Sequence, residues 1–358
     1  MNNSNKKRKI LLHDQRYSIG GPKAVLDGIV NSYLSDKYEF VRLFQTEACG
    51  FNPIKALRFV NKYKKLISQE HADAIYICGL QYVGFLMTLA ARLSNVKKVV
   101  LSVHGSDWDN PNRTIRKWLL MHLFEPLEIM MADSVITVCE AAQSTIRPLR
   151  GRKNNDGVVY NTFPNVDYDR IESGFLRKEY NITNDKIVVV TVGRVVEAKG
   201  HKEIIEAIKS IIDPDFMFVV VGDGPYLDIY KEQCQRELQE RRLLLLGQRS
   251  DVNNILKDSD IFLFATHNEN HSIALLEAVN MHCAALVTEV GGNPEIIEDK
   301  KSGLLIPKYD KDAIINGLYQ LKDKGVRKKY AEVAYNICRE KFSIQNTYGK
   351  LDVIFQQK

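Results

Sequence analysis

A chain of 358 residues, 45% hydrophobic and 26% charged, has a globular composition and the length of two ordinary domains. That balance excludes disordered, collagenous and coiled-coil classes, and no apolar run reaches the roughly 18 residues of a membrane span. The formal charge is +6, but residues 1–165 hold 23 basic and 14 acidic side chains while residues 166–358 hold 27 and 30; this excludes a uniformly basic nucleic-acid binder and leaves one half facing something anionic.

Residues 1–9 are polar and basic, and the apolar stretch after them is too short for a secretory signal. Six scattered cysteines without a C-x-x-C pair fit a reducing compartment and buried packing. A cytoplasmic location is expected, with any membrane contact peripheral, on the inner face of the cell membrane.

Residues 9–14 form a short apolar run, followed by a Gly-Gly-Pro turn and a helical pattern to about residue 34. Further β-branched runs at 38–44, 73–78, 98–103, 134–139 and 157–160 are separated by helical patterns such as 53–69, 84–93 and 113–130. A polar stretch at 164–186 reads as the linker. The alternation then restarts, with strands at 187–192, 216–221, 243–246, 261–265 and 285–288, and helices at 202–212, 225–241 and 273–282. Strands that are apolar throughout imply burial on both faces, hence parallel sheets covered by helices. Two such blocks predict an α/β chain of two Rossmann-like, doubly wound parallel-sheet domains.

Doubly wound sheets bind ligands beyond the C-terminal ends of their strands, so the residues there carry the chemistry. After 187–192 come Gly193, Arg194, Lys199 and Gly200. Two cations beside a strand-to-helix turn suit a diphosphate, which needs fixed positive charge and exposed N–H groups. Gly222-Asp223-Gly224-Pro225 is an incomplete dinucleotide fingerprint, equally explained as a tight turn. The richest element runs from Asp260 through Glu269, Asn270, His271, Ser272 and Ile273 to Glu277. In one helix the two glutamates would stand about 12 Å apart along the axis. With Glu269 in a loop and Glu277 inside the helix, they can grip opposite ends of a long ligand. The helix N-terminus between them offers unpaired N–H groups to an anion. A further glycine turn, Gly291-Gly292-Asn293-Pro294-Glu295, follows the next strand.

In this order and spacing, these motifs resemble glycosyltransferase family 4, of the GT-B fold. Gly20-Gly21-Pro22 after the first strand, His104-Gly105-Ser106-Asp107 after the fourth, and Val158-Val159-Tyr160-Asn161 agree with it. The resemblance implies an acceptor-binding domain over 1–165 and a nucleotide-sugar domain over 166–340, facing each other across a cleft. A terminal helix over 341–358 is expected to pack back toward the first domain. It further implies retaining transfer of a hexose-type sugar from a nucleotide sugar, of the UDP class, to a saccharide acceptor in polysaccharide or glycan biosynthesis. Arg194 and Lys199 would neutralise the diphosphate, and Glu269 would bind hydroxyls of the donor sugar. The N–H groups from Asn270 through His271 and Ser272 to Ile273 would meet sugar and phosphate, and Glu277 the ribose. His104 would contact the sugar, while Gly20, Gly21 and Gly193 would let the backbone approach the donor. Asp107 suits an acceptor contact or a helix cap. Asn270-His271 departs from the small or aromatic residues of many relatives and leaves the sugar open.

Other chemistries fit less well. His267 and His271 are four apart, but in a loop and without H-E-x-x-H, so a zinc hydrolase is not expected. D-x-D occurs five times at unrelated places, and no metal or other cofactor is inferred from it. A nicotinamide enzyme needs a full glycine fingerprint and a following acid. A non-enzymatic two-lobed sugar- or nucleotide-binding protein, or another GT-B enzyme such as a nucleotide-sugar epimerase, stands as the alternative.

Within 53–69, Lys55, Arg58, Lys62 and Lys65 share an arc of about 80°, opposite Ala56, Phe59, Val60, Tyr63 and Ile67. Such a helix either faces the core with a solvated basic side or docks on an anionic membrane. The second reading predicts a lipid-linked saccharide acceptor; from the uneven charge, no nucleic-acid partner is expected.

Overall fold

The apolar runs pair as two six-stranded, wholly parallel sheets in the computed structural model, which describes residues 7–15, 21–47, 49–106, 108 and 114–357. The chain divides into two units, one comprising residues up to 162 and again from 344, the other 163–343.

The first sheet holds β1 (Arg8–Gln15), β2 (Tyr38–Gln45), β3 (Ala74–Gly79), β4 (Lys98–Val103), β5 (Ser134–Thr137) and β6 (Asn155–Val158), in the order β2-β1-β3-β4-β5-β6. Its helices are α1 (Gly21–Val30), α2 (Leu34–Lys37), α3 (Pro53–Glu70), α4 (Tyr82–Arg92), α5 (Ile115–Leu119), α6 (Glu125–Met131) and α7 (Glu140–Thr145). Alternate residues of β1 enter different cores: Leu11 packs with α3 and α4, whereas Ile10 and Leu12 pack with α1 and the chain's last helix. Burial on both faces is why the strand reads as an unbroken apolar run.

The second unit places α8 (Phe175–Tyr180) before β7 (Ile187–Val192), then α9 (His201–Ser210), β8 (Phe216–Val221), α10 (Tyr226–Gln233), α11 (Gln235–Gln239) and β9 (Leu243–Gly247). There follow α12 (Val252–Lys257), β10 (Ile261–Phe264), α13 (Ile273–Asn280), β11 (Ala284–Thr288), α14 (Asn293–Ile296), β12 (Gly303–Ile306), α15 (Lys311–Gln320) and α16 (Lys324–Lys341). The strand order is β12-β11-β10-β7-β8-β9. Order reverses between β7 and β10, the switch point at which loops diverge and leave room for a ligand.

Three segments differ from the sequence reading. The polar stretch 164–186 is no free linker. It contains α8, whose first N–H groups donate to Asp258, from Gly174 at 2.6 Å and Leu176 at 2.7 Å. The capping carboxylate, Asp258, comes from outside the stretch, and the crossings between units fall at 162/163 and 343/344. The pattern over 113–130 is not one helix, because a π-helical turn, Leu120–Phe124, separates α5 from α6. The expected helix over 225–241 breaks at Cys234, a fully buried residue between α10 and α11.

The last helix, α17 (Ile344–Gln356), belongs to the first unit. Asp352 accepts from the Tyr38 hydroxyl at 2.7 Å and pairs with Lys37. Phe355 meets the Tyr38 ring edge-on at 5.5 Å. The buried Lys98 ammonium donates to the Ile354 carbonyl at 2.6 Å, a cation placed at the negative end of the helix. Among the described residues, no helix is long and apolar enough to cross a membrane.

Candidate functional site

The loops on either side of the switch point are built from backbone turns that close on each other. Residues 193–200 follow β7, and 265–272 follow β10. Gly200 has φ +71°, and a Cβ there would stand 1.9 Å from the Ala265 carbonyl oxygen. Beside it, the His267 N–H and the Thr266 hydroxyl both donate to the Ala198 carbonyl, at 3.0 and 3.2 Å. The other side of the loop is fixed as firmly: Val195 N–H donates to Asp223 at 2.8 Å, and Tyr226 N–H to Val195 at 3.0 Å. The incomplete glycine fingerprint is thus a turn that clasps the Gly193-Arg194 loop.

A third turn completes the set. Gly291 has φ +51°, and a Cβ would lie 1.6 Å from the Glu269 carbonyl oxygen. Asn293 donates to the Thr288 carbonyl at 3.0 Å and the Thr288 hydroxyl to the Thr266 carbonyl at 2.6 Å, while the Thr266 hydroxyl proton is shared between Ala198 and the Asn268 carbonyl, 2.8 Å away. Sequence reasoning overlooked Thr266 and Thr288, fully buried threonines at strand ends. Their signal was present: a hydroxyl in that position serves a bend better than a strand.

These turns bring Lys199 and Glu269 into a direct ion pair, each side chain about a fifth exposed. The Lys199 ammonium also lies 5.3 Å from the centre of the Phe264 ring. Arg194 differs: it is exposed, and its guanidinium has no partner among the described residues. One cation is therefore held in place by a carboxylate, and the other is open to a ligand.

Ser272 caps α13, its hydroxyl accepting from the Leu275 N–H at 3.2 Å. Ile273 begins the helix, and Glu277 stands one turn further on. The Glu277 carboxyl has no partner among the described residues, and burial pushes it up to about 7. Asn270 and His271 are buried behind the loop. The His271 ring meets Phe342 edge-on at 4.6 Å, and burial, reinforced by Lys341, holds its imidazole down at about 3. His267 turns to Glu203 at 3.1 Å and packs on Tyr309. The two histidines thus serve different neighbours. Among the described residues, no three His, Cys, Asp or Glu side chains converge as metal ligands.

The remaining predicted residues lie in the first unit. His104 follows β4 with Nε2 3.1 Å from the Ser102 hydroxyl, and burial lowers it to about 4, leaving a neutral imidazole. Its loop is tied by a carboxylate the sequence reading passed over: Ser106 donates to the buried Glu125 at 2.8 Å and accepts from Trp108 N–H at 3.1 Å. Gly21 opens α1, whereas Gly20 and Asp107 lie outside the described residues. On α3, Ala56, Phe59, Val60, Tyr63 and Ile67 are buried in the unit's own core, so the helix keeps only its outer side for a partner. Lys55, Arg58 and Lys65 are exposed there, and Lys62 pairs with Glu47.

Residues 172–337 match the family model described as Glycosyl transferases group 1, and residues 29–134 the model described as Glycosyl transferase 4-like. The UDP-Gal:alpha-D-GlcNAc-diphosphoundecaprenol alpha-1,3-galactosyltransferase of Escherichia coli is 30% identical over 331 residues, 88% of this chain and 81% of that protein. The N-acetyl-alpha-D-glucosaminyl L-malate synthase of Bacillus anthracis is 23% identical over 84% of this chain and 78% of its own length. In fold, the chain is similar to the crystal structure of Anabaena HepE in complex with UDP and glucose, with a TM-score of 0.78 at 19% identity, covering 98% of this chain and all of that one.

Proposed function

The chain belongs to glycosyltransferase family 4 and is a transferase of the two-domain GT-B fold, and from that premise we propose that it moves a hexose from a UDP-sugar, with retention, to a lipid-linked saccharide acceptor at the cytoplasmic face of a membrane. The observation that carries the reading is the closure of three strand-end turns around Lys199 and Glu269, with Arg194 open beside them and α13 continuing to Glu277.

In this reading the donor diphosphate takes Arg194 first and competes with Glu269 for Lys199. Breaking that pair frees the Glu269 carboxylate for hydroxyls of the sugar. The N–H groups at the start of α13, over Asn270 to Ile273, receive sugar and phosphate, with Gly193 letting the backbone come close. Glu277 accepts from the ribose hydroxyls, which replace the water its burial has removed. Departure of the nucleotide places charge on the diphosphate, and two cations and a helix terminus stabilise it without reorganising. The leaving phosphate accepts the proton of the attacking hydroxyl on the same face, so the configuration is kept. His104, neutral, is assigned to the transferred sugar. Lys55, Arg58, Lys62 and Lys65 on α3 are assigned to anionic headgroups, each worth about 1 kcal/mol near the surface.

The name of the Escherichia coli relative supports a UDP-hexose and a diphospholipid acceptor. That of the Bacillus anthracis relative contains L-malate, a small acid, so the acceptor class decides between the two patterns. Nucleotide sugars are to be screened for release of free nucleotide, with buffer, a lipid extract or soluble hydroxy acids as acceptor. Release of UDP, stimulated by the lipid extract and surviving EDTA, is expected. Stimulation by the soluble acids alone would sink the lipid-linked reading. Lys199→Ala and Glu277→Ala should each weaken donor use at least tenfold, since hydrogen bonds to charged groups contribute about 1.5–3 kcal/mol; near wild-type rates in both would overturn the site.

A further inference from the structure

We propose that the segment from α5 to α6 inserts an apolar stripe into an anionic lipid bilayer, a contact additional to the headgroup pairing of the basic residues on α3. Five of its large apolar residues point to solvent: Ile115 is 83% exposed, Trp118 58%, Leu123 44%, Leu127 38% and Met130 57%. Their spacings of three, five, four and three do not suit a plain α-helix, where at 100° per residue they would spread over about 180°. The π turn at Leu120–Phe124 absorbs one residue and rotates everything after it back by about 100°. The five then fall within about 80°. The same rotation gathers the buried Leu120, Glu125, Glu128 and Ile129 on the opposite side.

That rotation also sorts charge. Glu125 and Glu128, the segment's acidic residues, are fully turned inward, so its solvent side presents apolar groups, Arg116 and His122. The stripe continues onto the start of α3. Phe51 stacks on Tyr82 at 4.3 Å, meets Phe124 edge-on at 5.7 Å and lies under the Arg116 guanidinium. Beyond it, Ile54 and Leu57 are exposed among Lys55 and Arg58. An apolar ridge rimmed by Lys55, Arg58 and Arg116, with Glu125 and Glu128 turned inward, is complementary to acyl chains beneath anionic headgroups. The choice of bilayer as occupant rests on the lipid-linked acceptor reading; the ridge itself does not.

Trp118 is one of two tryptophans, which makes the ridge observable in the intact protein. Vesicles of phosphatidylcholine, with and without phosphatidylglycerol and with brominated acyl chains, serve as probe. We expect a blue shift and quenching of the Trp118 signal, lost in Trp118→Phe, and binding to phosphatidylglycerol vesicles that partly survives high salt. Ile115→Asn combined with Leu123→Ser should lower the partition coefficient about tenfold or more, while UDP release in detergent micelles stays at the wild-type rate. Binding abolished by salt with Trp118 unquenched would reduce the contact to headgroup electrostatics and overturn the proposal. Concentration-dependent self-association that buries Trp118 without lipid would overturn it in favour of a second copy of the chain. Sugar transfer to a lipid-linked acceptor in micelles without Trp118 quenching sinks the ridge alone; quenching without such transfer supports the ridge and sinks the acceptor reading.

Discussion

The loops that follow β7, β10 and β11 in the second unit hold one another through backbone carbonyls, buried threonines and two glycines with no room for a side chain. In the first unit, the loop after β4 hangs on side chains instead, Ser106 to Glu125 and His104 to Ser102, and the nearby helices expose apolar residues. Both sheets follow a doubly wound plan, with the same kind of edge. The difference fits the division of labour proposed above. A diphosphate and a ribose have fixed shapes and reward preorganised turns, whereas an acceptor surface needs area and charge. The charge is uneven along the chain as well, +9 up to residue 165 and −3 from 166 onward, where Arg194 and Lys199 stand at one strand end.

The sharpest way to break this comparison is to spoil one turn. Gly291→Ala must displace the Glu269 carbonyl, and a shift of about 1 Å at a reacting group costs about 100-fold in rate. UDP release should fall by that order, and a thermal melt should show a lower midpoint with a single cooperative transition. Retained activity would mean that the turn does not set the position of Glu269.

His104→Ala tests the other unit. Transfer to acceptor should drop about tenfold or more, while UDP binding measured by calorimetry stays unchanged. Equal losses in both would erase the division of labour.

The pH dependence of donor binding should separate the units as well. Glu277 is raised to about 7 by burial, so below that pH the folded protein holds a proton that the unfolded chain has lost. Its contribution therefore lowers stability as pH rises from about 4.5 to 7. In the proposed site ribose hydroxyls donate to the ionised form, so donor affinity should increase about tenfold between pH 6 and 8 and then level off. Glu277→Gln should flatten the curve; an unchanged slope would assign it to another group. His104 and His271, held near 4 and 3, stay neutral throughout that range.

The smallest effect concerns a cap. Ser272→Ala removes one bond to the Leu275 N–H and should cost about 1 kcal/mol in chemical denaturation, with a modest rise in donor KM. A neutral result would leave the helix start held by the loop alone.

Much of the candidate site in the second unit was legible because its motifs are local. A strand end, a glycine turn and a helix start recur within a few residues, and their chemistry needs particular residue types there. The purpose of each glycine was not legible. Gly222 and Gly291 sit some 30 and 20 residues from their contacts with Gly193 and Glu269, and only a folded sheet brings them together. The His271 ring shows the same limit: the motif spoke only for its backbone N–H, and the fold alone shows the ring packed on Phe342. On α3, composition displayed two faces, but burial decided that the apolar one belongs to the core.

By itself the sequence determined that two blocks of buried parallel strands would form, and which strand ends carry cations and carboxylates, because periodicity and turn chemistry act over short stretches. Tertiary structure alone decided that Lys199 meets Glu269, that Glu277 lacks a partner among the described residues, and that a π turn aligns five apolar side chains from Ile115 to Met130. Each of these depends on how segments distant in the chain are rotated and packed, which no local pattern encodes. The excess charge before residue 166 takes on a location for the same reason. Folding buries Glu125 and Glu128 and leaves the neighbouring cations at the surface.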